Sequence, residues 1–500
     1  MSGKPINFSL VDNREYVFPS GGGNDLVDTR TDGQQPLSIW GGVKVWRSPS
    51  TWAALSLDVR EGIESGKGGG VHVLREDCYS HDTKDPFLSV AVQRDGGFSL
   101  STGNLIGSVS RREEDGSLAG TVTIGSRFGD SFLRYIVSDA DGFVSLRNHG
   151  GASLSSDGYD WLLGYYWNVK LKHAFRLGMP KCYREKTESL TGIRGNIDVI
   201  DYYGYPKRGR ACCTYRELSY DNPATELFAT VWDVLKRRPS MGVFCSKTTA
   251  IYQAFMQAVG GNCRKRKELL HVAHFNNPFY SDYNELIDLS KAILRNLGSD
   301  FSVKEKADAI LFDVSMLYEY FLRKLFVRKG LRLVRKEHDY CQIPTCPLVG
   351  QYSRKLKPDL VFDLGDRVAV FDAKYKYYNK DYGVSREDVF QLHTYIGQYG
   401  NTHPISCCGF IYPVVESRWR EIRNVDDQES VVLSAPLWQQ GKSMEFNVAF
   451  LVVPDCVIQE GESRRSLSDD EFRVRFQPWV DRLVEQLSDK LIGTSRGGQV

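Results

Sequence analysis

The chain has 500 residues, of which 41% are hydrophobic and 25% charged, with a formal net charge of +2. That length allows two to four domains with sizeable cores. The near-neutral balance excludes a polycation, so any nucleic-acid contact must come from local basic patches. No run approaches the roughly 20 apolar residues of a membrane-spanning helix. The opening MSGKPINFSLVDN lacks the apolar core of a signal peptide, which makes the cytosol the expected compartment. The eleven cysteines are then expected as reduced thiols. Cys341, Cys346 and Cys407-Cys408 are poorly spaced for zinc and read as scattered core thiols.

Residues 1–165 carry short alternating apolar runs, among them Leu37 to Trp46, Val71 to Leu74, Phe87 to Val92 and Leu118 to Ile124. Asp95-Gly96-Gly97, Asp115-Gly116 and Asp141-Gly142 punctuate them as turns, so this region is predicted to be β-rich. Ser65 to Gly70 (SGKGGG) lacks the spacing of a phosphate-binding loop and reads as a turn. No other stretch supplies such a loop, so the chain is not expected to be a nucleotide-driven motor. Arg127 to Tyr135 reads as a link between the β-rich region and the rest of the chain, and the aromatic run Tyr159 to Phe175 fits a strand or a helix.

Residues 166–300 read as mixed and mostly helical. Gly192 to Asp198 is a turn leading into a strand, followed by the basic Lys207, Arg208 and Arg210. Asn222-Pro223 opens a helix over Ala224 to Lys236, with further helices predicted at Ser246 to Val259 and Tyr283 to Leu297. Arg264 to Lys267 (RKRK) reads first as a solvated loop and second as a phosphate contact. His271 and His274, one helical turn apart with no apparent acidic partner, read as structural.

From residue 301 the pattern changes. Ala309 to Leu325 is predicted as one helix whose buried face is Ile310, Val314, Leu317, Phe321 and Leu325, with Glu319 within it. A basic run comes next: Arg323, Lys324, Arg328, Lys329, Arg332, Arg335 and Lys336, then Arg354, Lys355 and Lys357. Lys357 to Lys376 (KPDLVFDLGDRVAVFDAKYK) reads as a β-hairpin turning at Leu364-Gly365-Asp366. Strand side chains alternate between faces, so Val368, Val370, Asp372 and Lys374 share one face. Asp359, on the neighbouring strand, reaches the same spot. Two carboxylates converging at a strand end suit a hard divalent cation such as Mg²⁺. A lysine beside it can orient or deprotonate a water, or neutralise charge growing on a phosphate.

Ser385, with Asp388 three residues on, caps a helix reaching Tyr399, on which Gln391 and Tyr395 share a face. Gly409 to Val415 and Phe446 to Val453 read as buried strands. The polar segment Glu416 to Lys442 between them reads as an edge strand or an insertion. Ser468 to Glu471 is a capping box opening a last helix with Phe472, Phe476, Trp479, Leu483 and Leu487 on its buried side.

Pro358-Asp359 followed by Asp372-Ala373-Lys374 resembles the PD-(D/E)xK nuclease signature, and Gln391-x-x-x-Tyr395 resembles its RecB-like branch. The order of motifs further resembles McrC, the nuclease subunit of McrBC modification-dependent restriction systems. Arg194-Gly195-Asn196-Ile197-Asp198, Tyr215 to Asn222, Leu311-Phe312-Asp313 through Glu319-Tyr320-Phe321 and Thr121 to Tyr135 carry that likeness. The resemblance implies a mixed α/β chain: a β-rich amino-terminal domain (1–165) that docks on a separate hexameric McrB-like AAA+ NTPase, a middle region (166–300), and a restriction-endonuclease-like domain (301–500). It implies Mg²⁺ (or Mn²⁺) held by Asp359, Asp372 and the Ala373 carbonyl with help from Glu319. Lys374 would act on the water or the phosphate, and Gln391 and Tyr395 would orient the lysine or touch the backbone of double-stranded DNA. Cutting both strands would require two copies. Two other readings stay open: a stand-alone RecB-like repair nuclease, and a non-catalytic adaptor of an NTPase ring.

Overall fold

The computed structural model describes residues 6–18, 25–28, 36–38, 49–65, 71–74, 87–94, 97–112, 118–141, 160–197, 199–260, 266–297, 307–334, 341–344, 353–423, 430–439, 442–460 and 463–493. The chain is mixed α/β. Its amino-terminal part holds two five-stranded sheets. One is antiparallel throughout, in the order Pro36–Ser38, Asp25–Asp28, Glu15–Phe18, Phe98–Thr102, Leu88–Val92. The other runs Ile6–Val11, Leu118–Gly125, Leu105–Arg112, Ala307–Asp313, Val71–Leu74. A helix that the alternating pattern does not announce, Pro49–Ser65, buries Trp52, Leu55 and Val59 in the core of this part.

The second sheet corrects the helix predicted from Ala309. Ala307–Asp313 is a strand, paired antiparallel with Leu105–Arg112 and parallel with Val71–Leu74. Two waiting strand partners outweigh a helical periodicity that is ambiguous over a short apolar run. The helix starts at Val314 and ends at Arg328; Asp313 is its N-cap and accepts from the backbone N–H of Ser315 at 3.1 Å. Its buried face is Val314, Tyr318, Phe321, Leu322, Leu325 and Phe326, with Leu317 only partly covered.

The middle region is a helical cluster. Asp160–Phe175 resolves as a helix, and it and Pro223–Lys236 both pack with Asp282–Leu297, burying Trp167, Phe228, Trp232 and Tyr283. Asn222 caps the second helix by accepting from the backbone N–H of Ala224 and Thr225. The helix expected from Ser246 opens as a 3-10 turn, Ser246–Thr248, before Thr249–Val259. A buried polar chain crosses this cluster: Trp232 Nε1 donates to Thr248 Oγ1 (2.9 Å), which donates to Asn168 Oδ1 (2.6 Å). A three-stranded antiparallel sheet completes this region, in the order Cys182–Leu190, Ala211–Ser219, Asn196–Ile197. Its first strand has no buried residue along its length.

The carboxy-terminal sheet runs Leu360–Asp363, Val368–Ala373, Ile405–Val415, Lys442–Val453, Val432–Gln439. The outer pairs are antiparallel and the two inner pairs parallel. Central parallel strands are covered on both faces and so read as continuous apolar runs; Cys407 to Val414 is buried without a break. The crossover between the first parallel pair is the helix Arg386–Tyr399. Gly409 is required where it stands: a Cβ there would lie 2.0 Å from the Asn447 carbonyl oxygen of the next strand. The polar segment after Val415 contains a short helix, Glu416–Ile422, and the edge strand Val432–Gln439.

The last helix, Asp469–Gly493, lies on this sheet with Phe472, Phe476, Leu483 and Leu487 buried and Trp479 partly so. Its capping box is reciprocal: Glu471 N–H donates to Ser468 Oγ (3.3 Å), and Ser468 N–H donates to Glu471 Oε2 (2.9 Å). The helix Asp130–Asp141, in the stretch expected as a link, docks on it. Arg134 and Ser131 bind Asp469, Tyr135 donates to Gln477 (2.8 Å), and Phe132 meets Phe476 edge-on. Among the described residues no helix is long and apolar enough to cross a membrane.

Candidate active site

The hairpin places the two carboxylates. Leu364 N–H donates to the Arg367 carbonyl (3.0 Å), and Gly365 takes φ +93° between the strands, a conformation glycine adopts freely. The ladder pairs Leu360 with Phe371, and the same register continued sets Asp359 opposite Asp372. Cross-strand neighbours on one face lie within direct interaction distance. Asp359 Oδ2 accepts from the Ala373 N–H at 2.9 Å. Arg323, from the Glu319 helix, donates to the Asp359 and Val334 carbonyls at 2.5 and 3.1 Å, and so braces the start of the strand.

Asp372 is buried, whereas Asp359 is partly exposed. Burial foremost, and then the Asp359 charge, push the Asp372 carboxyl up to about 7, against the pull of Lys374. Lys374 Nζ stands 2.5 Å from Asp372 Oδ2. Burial alone would lower the lysine, but Asp372, Asp388 and Asp359 outweigh it and hold the ammonium above its ordinary value. Lys374 also donates to Gln391 Oε1 (2.6 Å), and Gln391 Nε2 donates to the Tyr395 hydroxyl (2.7 Å). Tyr395 is buried, and desolvation followed by the charges of Asp372, Asp359 and Glu319 keeps its phenol firmly protonated. Glu319, half-buried and one turn before the Arg323 brace, adds its charge to that push on Tyr395.

The hairpin and the Gln391 helix thus bring the anticipated residues Asp359, Asp372, Ala373, Lys374, Gln391 and Tyr395 to one strand end, and the anticipated Glu319 bears on them through its charge on Tyr395. From sequence, Asp388 reads only as part of a helix cap. In the fold it is buried, faces Lys374 at 3.4 Å, and is closed on by the Lys376 ammonium. Its carboxyl would rise on burial, but Lys376, Ser385 and Lys374 hold it below its ordinary value. The signal is present in Lys374-x-Lys376, two cations at alternate positions that call for a shared anion.

The donor set fits a hard cation. Asp372 Oδ2 is buried and, apart from its contact with the Lys374 ammonium, receives no hydrogen bond among the described residues. Two carboxylates and a backbone carbonyl suit Mg²⁺, which keeps several waters. Among the described residues no three His, Cys, Asp or Glu side chains are gathered into a ligand cluster.

The basic candidates divide. Arg323 is structural, Lys329 pairs with Asp481 at 2.8 Å, and Arg332 lies 3.5 Å from Asp363. Lys324 is exposed and lies over the Tyr320 ring. Arg335, Lys336 and Arg264-Lys265 lie outside the described residues, as does Ser65 to Gly70 beyond its first residue. His274 does have an acidic partner, contrary to expectation: its Nε2 is 2.7 Å from Asp288 on a later helix, at an exposed position. Cys407 and Cys408 are buried core thiols, pushed up to about 11 and about 12 by desolvation; Cys346 lies outside the described residues.

Fold and site together define a mixed α/β protein with a charged centre at one strand end, two opposed carboxylates and a lysine held against them. The sequence profile of the "McrBC 5-methylcytosine restriction system component" family matches residues 100–413, and the chain belongs to that family. No curated protein matches it. Among solved structures, it is similar to a refined half-complex from a tetradecameric assembly of Thermococcus gammatolerans McrB AAA+ hexamers with bound McrC, at 15% identity and a TM-score of 0.45, over 94% of this chain and 99% of that one. It is also similar to the T. gammatolerans McrBC complex seen by electron cryomicroscopy, at 15% identity and a TM-score of 0.31, over 66% and 90% of the two chains.

Proposed function

We propose that this chain is the DNA-cutting subunit of a McrBC-type restriction system, a PD-(D/E)xK phosphodiesterase. The observation that carries the reading is the convergence of Asp359, Asp372 and Lys374 at one strand end, with the lysine held by Gln391 and Gln391 by Tyr395. Membership of the McrBC family supplies the biological setting. Asp359, Asp372 and the Ala373 carbonyl would hold Mg²⁺ or Mn²⁺, with Glu319 assisting from the neighbouring helix. Bound there, such an ion polarises a phosphoryl oxygen and acidifies a water.

The chain's own residues do the rest. Asp372, neutralised in part by Lys374, keeps the site compact before the ion and substrate arrive. Lys374 stays charged and aimed by Gln391, where it offsets the negative charge that grows on the phosphate during in-line attack. Tyr395 remains a neutral phenol and fixes the Gln391 amide. The substrate is double-stranded DNA. A separate McrB-like AAA+ NTPase hexamer supplies translocation and is stimulated through the β-rich part, residues 1–165. Paired copies cut the two strands.

The test is cleavage of long modified and unmodified DNA with Mg²⁺, with and without the cognate AAA+ NTPase plus GTP or ATP, and with Asp372→Ala as control. Cutting that needs partner, nucleotide and Asp372 is the expected result. Cutting by the chain alone would shift the reading to a RecB-like repair nuclease. Stimulated NTPase turnover without Asp372-dependent cutting would leave an adaptor.

A further inference from the structure

Lys374 has one more carboxylate against it than the hairpin motif supplies. An ammonium has three N–H donors. Two are engaged at short range, by Asp372 Oδ2 at 2.5 Å and Gln391 Oε1 at 2.6 Å. The third faces Asp388 Oδ1 at 3.4 Å. Asp388 comes from the first turn of the Arg386–Tyr399 helix, where the helix dipole favours an anion. It is 4% exposed and firmly anchored. Ser385 Oγ donates to its Oδ2 at 2.6 Å, the Lys376 ammonium closes on the same oxygen, and the Tyr412 hydroxyl approaches it at 3.5 Å from the next strand.

Asp372 cannot keep an ammonium at 2.5 Å and also give the same oxygen to a divalent cation, because the two cations would repel strongly in a buried site. The lysine has to yield. We propose that Asp388 is a positioning residue that takes up the Lys374 ammonium when a divalent cation claims Asp372, and so keeps the lysine beside the carboxylate pair. This role rests on the proposed function and deepens it. A short swing of the ammonium closes the 3.4 Å gap while the Gln391 contact is retained. Lys376 balances the remaining charge on Asp388, which disfavours Asp388 as a cation ligand in its own right.

The test is Mg²⁺ binding by titration calorimetry on the full chain, arranged as a double-mutant cycle. Asp388→Asn in the wild-type background is expected to weaken Mg²⁺ about tenfold, the scale typical of an outer-shell partner. In a Lys374→Met background the same substitution is expected to change Mg²⁺ affinity little, because the group it acts through is gone. Asp388→Glu should restore part of the affinity. Equal losses in both backgrounds would show a long-range charge effect and overturn the proposal, as would no loss in either. Asp388→Ser, neutral but still able to accept from the helix turn, replaces the Asn variant if that one does not fold. If the wild-type chain shows no Mg²⁺ binding that Asp372→Ala abolishes, the proposed function itself fails, and this is seen before any Asp388 variant is compared.

Discussion

Two sheets of this molecule use the same strand geometry to opposite ends. In the carboxy-terminal sheet, Asp372 is buried and Lys374 is mostly covered, and the lysine's three donors face three acceptors. In the three-stranded sheet of the middle region, Lys186 sits 3.1 Å from Glu188 and 4.0 Å from Glu217, and Arg184 pairs with Asp221, all toward solvent. Tyr183, Tyr202 and Tyr203 are exposed in the same part. The ion pairs look alike on paper, yet their worth differs. Water and salt screen the exposed set to near nothing. Burial makes the other set strong and perturbs its proton affinities.

The largest expected effect strikes the buried set. Lys374→Ala should lower Mg²⁺-dependent cleavage roughly a hundred- to thousand-fold, measured as initial rates on long DNA with partner and nucleotide present. Thermal melting of the same variant separates a loss of chemistry from a loss of fold. A methyl group on Gly409 probes the packing that holds those charges: with the Asn447 carbonyl 2.0 Å from the new Cβ and a Phe371 ring carbon at 2.9 Å, Gly409→Ala should destabilise by about 3 kcal/mol, at the upper end of overpacking costs. Denaturant unfolding would measure it, and an unchanged midpoint would contradict so close an approach of the two strands.

The pH dependence is subtler. Burial and Asp359 raise the Asp372 carboxyl to about 7, so below that pH it is protonated and must lose a proton to ligate a cation. Mg²⁺ affinity should therefore fall by about tenfold per pH unit below about pH 7 and level off above it, as read by calorimetry at several pH values. The same shift has a sign in stability. The folded chain binds this proton more tightly than the unfolded chain, so the ion-free protein loses stability as pH rises from the ordinary carboxylate range to about 7. The smallest effect belongs to the exposed sheet: Lys186→Ala should leave the melting temperature unchanged in high or low salt, and a salt-dependent drop would show that the contrast between the two sheets is overdrawn.

Much of the site is legible in the sequence because it is local. The hairpin, its turn, the cap at Ser385 and the Gln391–Tyr395 face all come from period, turn chemistry and helix spacing within a few dozen residues. Ala307–Asp313 imitates a helix in sequence because its strand partners, Leu105–Arg112 and Val71–Leu74, lie some two hundred residues upstream. Asp130–Asp141 passes for a link for the same reason, since the helix it docks on begins at Asp469. Asp388 reads as a cap, which it is, and its second contact depends on where a crossover helix lands. The Asp288 partner of His274 is likewise hidden, because it arrives on a separate helix.

By itself, then, the sequence determined the element types with strong local signals, the identity of Asp359, Asp372, Lys374, Gln391 and Tyr395 as a chemical set, and the face each occupies on its strand or helix. Side-chain periodicity is a covalent property of the chain and needs no partner. Only the tertiary structure decided which of those charges lose their water, that Asp372 is pushed up while Asp388 is held down, that Arg323 braces a strand rather than facing outward, and that a strand from beyond residue 306 completes the amino-terminal sheet. Those outcomes rest on desolvation and on contacts between distant segments, which exist only once the chain has closed on itself.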